Sequence, residues 1–162
     1  MHSDLKNLLQ QAEENYLEER QIKQFQIFTV DLAHRLKTYE LLRDNEVEIF
    51  QPIADELTRA YPQQSSQLIE KALKHWLSIM RYCAMAMLLN NPEYLQRSVL
   101  EWLTDMVQAH QMQSVESTIY DLLLSQLQKM LSRQQFASIE PFLEQSKAIL
   151  GDRVTTTVGE QK

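Results

Sequence analysis

Glycine is almost missing from this chain. Gly151 and Gly159 are the only two in 162 residues, so none interrupts the first 150 positions. That excludes phosphate-cradling loops of the GxGxxG or GxxxxGK type, and it excludes hairpins built on Asn-Gly or Asp-Gly turns. Cysteine occurs once, as Cys83, which rules out an intrachain disulfide and a cysteine-rich metal site and fits a reducing cytoplasm. No apolar run approaches the roughly 18 residues of a membrane span. The opening MHSDLKNLLQQAEENYLEE is too acidic and polar for a secretory signal. Positive charge is scarce as well. A formal charge of −6 disfavours nucleic acid as a main partner, because phosphate binding needs concentrated Lys and Arg.

What remains is helical in character. The chain is rich in Leu, Gln, Glu, Ala and Met, with 44% hydrophobic and 23% charged residues, as in an ordinary globular domain. Its length suits one domain with a single core. Leu5, Leu8, Leu9 and Ala12 predict a first helix from about Asp4 to Leu17. Ile22, Phe25, Leu32 and Leu36 mark a buried stripe between about Glu19 and Leu42, a span long enough to suggest two helices in succession. A third helix begins near Asn45, and Pro52 should kink or divide it.

Tyr61 to Ser66 reads as a loop, followed by a long helix from about Gln67 to Leu89. Asn90-Asn91-Pro92 combines a stop with a start, Asn91 capping a new helix and Pro92 occupying its first position. A short helix and one through Val99, Leu103, Met106 and Val107 should follow. After a polar corner at His110–Gln113 come helices at about 115–132 and 137–149, the last closed by Gly151. The tail from Asp152 has no periodicity and reads as frayed.

The stretch Leu68–Val107 carries a further signal. Arg81-Tyr82, the Asn90-Asn91-Pro92 turn and Val99-Leu100-Glu101-Trp102-Leu103 fall at the spacing of the central segment of the phycobiliproteins. Upstream, Tyr16-Leu17, the Ile22–Phe25 stripe, Arg35 and Asn45 lie at comparable spacings, so the chain resembles that family over about residues 12 to 130. The resemblance implies an all-α, globin-like (phycocyanin-like) fold with an N-terminal helical extension. It implies one domain over residues 1–150, with 1–17 as an association helix and 18–150 as the globin core, and a flexible tail at 151–162.

In that family a cysteine bonds the bilin, an Arg pairs with a propionate, and an Asp accepts from the pyrrole nitrogens. Here Ala72 stands at the cysteine position, and Lys74-His75 stand where Arg-Asp would. Ala72 has no reactive atom, so no thioether forms there. Lys74 keeps the charge but loses the planar fork. His75, three residues from Ala72, lies on the same flank of the helix. Two readings follow: a filled, chromophore-free core, or a non-covalent tetrapyrrole pocket. In the second, Lys74 would meet a propionate and His75 the pyrrole nitrogens or a haem iron, with Ile79, Arg81 and Tyr82 completing the pocket.

Cys83, eleven residues beyond Ala72, reads as a core thiol. His110 is a second candidate haem ligand, set against a plain polar corner; no metal site is expected otherwise, since His2 and His34 lack an i,i+4 partner. Trp76, Tyr82, Tyr94, Trp102, Met85, Met87 and Met106 suit a core better than a cavity lining. No nucleophile or acid–base pair supports an enzyme.

The resemblance implies a phycobilisome-related protein of a cyanobacterium, cytoplasmic or at the thylakoid surface. It would act in antenna assembly, turnover or bilin handling. Its partners would be a second copy or phycobilisome components, joined through the N-terminal helices, without membrane insertion. The alternatives are a haem- or bilin-sensing globin and a ligand-free helical adaptor.

Overall fold

The computed structural model describes residues 3–98 and 113–158. Among these residues the chain is all-α, with no strand. The helices are α1 (Ser3–Glu14), α2 (Glu19–Asp44), α3 (Glu46–Ala60), α4 (Ser66–Leu89), α5 (92–98), α6 (Gln113–Met130) and α7 (Arg133–Val158). The expected helix through Val99–Val107 and the corner at His110 lie outside the described residues.

The central helix is the one the sequence marked best. Ser65 caps α4 by accepting the Leu68 N–H at 3.2 Å. At the far end Asn90 adopts a left-handed conformation, φ 47° and ψ 50°, the role glycine fills in most helix stops. Asn91 then caps α5, its Oδ1 accepting the Tyr94 N–H at 3.1 Å, with Pro92 in the first turn. From α4, Ile69, Ala72, Trp76, Ile79, Met80, Cys83 and Met87 enter the core. They meet Ile49, Ile53 and Leu57 of α3, Ile119, Leu123 and Leu127 of α6, and Ile139 and Leu143 of α7. So α4 packs against α2, α3, α6 and α7 together.

Four expectations are corrected. The span from Glu19 to Asp44 is one continuous helix of 26 residues, because neither Gly nor Pro falls within it to break the ladder. Its stripe of Ile22, Phe25, Leu32 and Leu36 is exposed, not buried; the buried residues of α2 are Arg35, Thr38 and Leu42. Pro52 does not divide α3, which runs unbroken from Glu46 to Ala60. Proline removes the N–H that would meet the Glu48 carbonyl, and Gln126 Nε2 from α6 donates to that carbonyl instead, at 3.4 Å. Finally, Gly151 does not close the last helix. α7 starts at Arg133 and continues to Val158. Its start is a reciprocal cap: Ser132 Oγ accepts the Gln135 N–H at 3.3 Å, and Gln135 Oε1 accepts the Ser132 N–H at 2.9 Å.

The N-terminus stands apart from this core. α1 packs on α2, where Leu8 is buried, and from Asn15 to His34 no residue is fully buried. This arm joins the body through Arg35. Arg35 is 6% exposed, and its guanidinium donates to the Met87 and Leu88 carbonyls at the C-terminus of α4 and pairs with Asp31 at 2.9 Å. A cation at a helix C-terminus meets both the orphan carbonyls and the negative end of the dipole.

Candidate functional site

α4 presents Ala72, His75 and Ile79 at i, i+3 and i+7, on one side of the helix. Ala72 is fully buried and Ile79 is buried. His75 is mostly buried, its side chain 15% exposed, and its Nδ1 lies 4.0 Å from Glu116 Oε1 on α6. Nδ1 is shut off from solvent and has no hydrogen-bond partner. Burial lowers the His75 pKa from its ordinary value, and the positive charge of Lys71 lowers it further, so both favour the neutral imidazole. Burial has the opposite effect on Glu116, raising its carboxyl above the usual carboxylate range.

The other expected residues point elsewhere. Lys74 is exposed and paired with Glu70, one turn back on the same helix. That pairing pulls the Glu70 carboxyl down. Arg81 is exposed and forms a two-pronged pair with Glu46 of α3, its Nε 2.7 Å from Oε2. Tyr82 is half-buried against the core. The structure therefore brings His75 beside Ala72 and Ile79, while Lys74 and Arg81 hold carboxylates of their own.

Beside His75 sits an aromatic pair. Trp76, 2% exposed, packs on Tyr120 of α6 with ring centroids 5.6 Å apart, and Lys147 Nζ lies 4.2 Å above the Tyr120 ring. The Trp76 Nε1 is buried without a partner. Glu116 and Tyr120 are one turn apart on α6, so the seam between α4 and α6 pairs two polar groups beside two rings. The family register singled out His75 and helical periodicity Trp76, but neither pointed to Glu116 or Tyr120. Nothing in a single chain marks which residues 41 positions downstream will face a given turn, and an acid in the first turn of a helix is what the helix dipole alone would favour.

Cys83 is a core thiol, as its spacing suggests. Its Sγ lies 3.2 Å from Ser146 Oγ and donates toward the Phe142 carbonyl at 3.5 Å. Burial pushes its pKa up to about 12, which keeps it protonated and unreactive. His110 lies outside the described residues. Among the described residues, no group of three or more His, Cys, Asp or Glu is arranged to hold a metal ion. No helix among them is long and apolar enough to cross a membrane.

The second candidate site is the arm. Ile22, Phe25, Leu32 and Leu36 lie along one flank of α2, and Ile27 and Val30, each 70% exposed, lie on another. The first set forms a continuous exposed apolar stripe.

The sequence matches the phycobilisome protein family over residues 8–150. No curated protein matches the chain.

Proposed function

This chain belongs to the phycobilisome protein family, and from that premise we propose that it serves antenna assembly or turnover as a subunit without a covalently bound bilin. Phycobilisomes are built from oligomers of such globin-like subunits, so association with other phycobilisome components is the setting in which it works. The observation that carries the proposal is the exposed apolar stripe on α2. Fully burying a Leu, Ile or Phe side chain is favourable by roughly 1.5–3 kcal/mol, and large apolar patches on folded chains mark docking surfaces. A second copy or another antenna subunit, laid against the arm at the thylakoid surface, would cover it. Ala72 supports the absence of a thioether, since a methyl group offers no nucleophile. No catalytic step is assigned to it.

Sedimentation of the purified chain, alone and with intact phycobilisomes, tests this reading. The wild-type protein is expected to self-associate or to co-sediment with the antenna. Phe25→Glu with Leu32→Glu is expected to abolish either association while leaving the helical content unchanged. Association that survives both charges would sink the arm as the interface. For the missing thioether, the chain is produced together with phycocyanobilin synthesis and then denatured in acid. A pigment that stays on the denatured chain would refute it.

A second reading is favoured by a specific observation, the unpartnered Nδ1 of His75 beside Ala72. In that reading the subunit also holds a linear tetrapyrrole reversibly, as a bilin-handling protein. The arm and the seam are separate surfaces, so the two readings are compatible.

A further inference from the structure

Resting on the tetrapyrrole reading, we propose that Glu116, reaching from α6 to within 4.0 Å of His75 Nδ1, supplies the carboxylate of this site, so that the two side chains together accept the N–H groups of a linear tetrapyrrole. The resemblance alone points only to α4, where the expected acid is replaced by His75. A neutral imidazole offers one lone pair, which is too little for a ligand edge carrying several N–H groups. The carboxylate of Glu116 adds two acceptor oxygens across the seam.

The geometry leaves a buried nitrogen without a partner beside a carboxylate. His75 Nδ1 is closed to solvent and unpartnered. Among the described residues nothing donates a hydrogen bond to Glu116, whose side chain is 17% exposed. At 4.0 Å the two groups are not hydrogen-bonded to each other, and a shielded polar atom without a partner, as His75 Nδ1 is, costs about 1–3 kcal/mol. A donor seated between them relieves both. Lys71, close enough to act on His75, disfavours a cationic guest there and favours a neutral N–H of pyrrole or lactam type. The adjoining Trp76 and Tyr120 rings suit a flat conjugated ligand.

Titration of the full chain with biliverdin, followed by its visible absorption and by quenching of tryptophan fluorescence, tests the assignment. The wild-type protein is expected to bind and shift the pigment band. Glu116→Leu, which removes both acceptors, is expected to weaken binding by about 10- to 100-fold, the worth of a hydrogen bond to a charged group. Glu116→Gln keeps the shape and one acceptor, and is expected to lose several-fold. Circular dichroism establishes that both variants are folded, and the Gln variant decides should the Leu variant unfold. Affinity equal to wild type in the folded variants would overturn the role of Glu116 while leaving the tetrapyrrole reading intact. Failure of the wild-type protein to bind biliverdin would remove both.

Discussion

The arm and the central helix use the same residue types in opposite ways. Along α4, apolar side chains at helical spacing are driven inward, and Trp76, Met80, Cys83 and Met87 are nearly or fully buried. Along α2, Ile22, Phe25, Leu32 and Leu36 repeat at helical spacing as well, and they face solvent. Hydrophobic periodicity reports that a face wants covering; it does not say whether the cover is the same chain or another. On α4 the partner helices arrive later in the same sequence. On α2 the described elements, α1 among them, leave this stripe exposed, and the surface is left for a neighbour.

The sharpest way to stress the inward half of that contrast is Trp76→Ala. Removing a buried indole from the centre of the core is expected to cost about 3–5 kcal/mol, read as a shift in the urea midpoint. Trp76→Phe should cost much less, because it keeps a ring and deletes an N–H that has no partner. If both variants lose the same stability, the indole N–H has a partner and the packing argument is wrong.

Next in size is the joint between the two regions. Arg35→Met preserves the apolar stem but strips the donors from the Met87 and Leu88 carbonyls and from Asp31. The expected loss is about 1–3 kcal/mol. Amide exchange should quicken at the end of α4 and along α2 without spreading to α6. An unchanged exchange pattern would show that the arm is held by something other than Arg35.

A smaller effect belongs to the proline in α3. Gln126→Leu removes the donor that meets the Glu48 carbonyl, and the bond is long, so roughly 0.5–1 kcal/mol should be lost. Pro52→Ala in that background returns a backbone N–H to the same carbonyl and should more than recover the loss. A Gln126→Leu variant as stable as wild type would mean that solvent already serves that carbonyl.

How much of this was legible follows from where each signal lives. The bounds of α4, the Asn90 stop and the Asn91-Pro92 start were readable because caps and stops are local. Ser132–Gln135 carries a start signal of the same kind, whereas hydrophobic spacing alone places the start of that helix near 137. The continuity of α2 was readable too, from the lack of any breaker. Its facing was not, since exposure depends on what else the chain folds against it. In the candidate site, Ala72 and His75 share one helix, so register along α4 is enough to place them side by side. Glu116 was hidden because its role depends on α6 crossing α4, a contact no local pattern encodes. Lys74 and Arg81 show the converse: both matched by position, and both are occupied by Glu70 and Glu46.

The smallest effect expected is a change of slope rather than of neutral-pH stability, and it separates the seam from the arm. The His75 pKa is lowered on folding from 6.5, so between that lowered value and 6.5 the unfolded chain binds more protons. Stability contributed by neutral His75 is therefore lost as pH falls through this interval. Glu116 runs the other way. Its folded pKa is raised above 4.5, so the folded chain takes up its proton first, and stability is regained as pH falls from the raised value toward 4.5. His75→Gln should remove the loss of urea midpoint that begins as pH falls below 6.5, and Glu116→Gln the gain on approach to 4.5. Phe25→Glu should leave both as in wild type, because Phe25 stands on the arm and not in the seam. A wild-type slope in His75→Gln would mean that the imidazole is not shielded in solution. The unpartnered nitrogen between α4 and α6 would then lose its standing as a ligand site, and the exposed stripe on α2 would remain as the surface through which this subunit works.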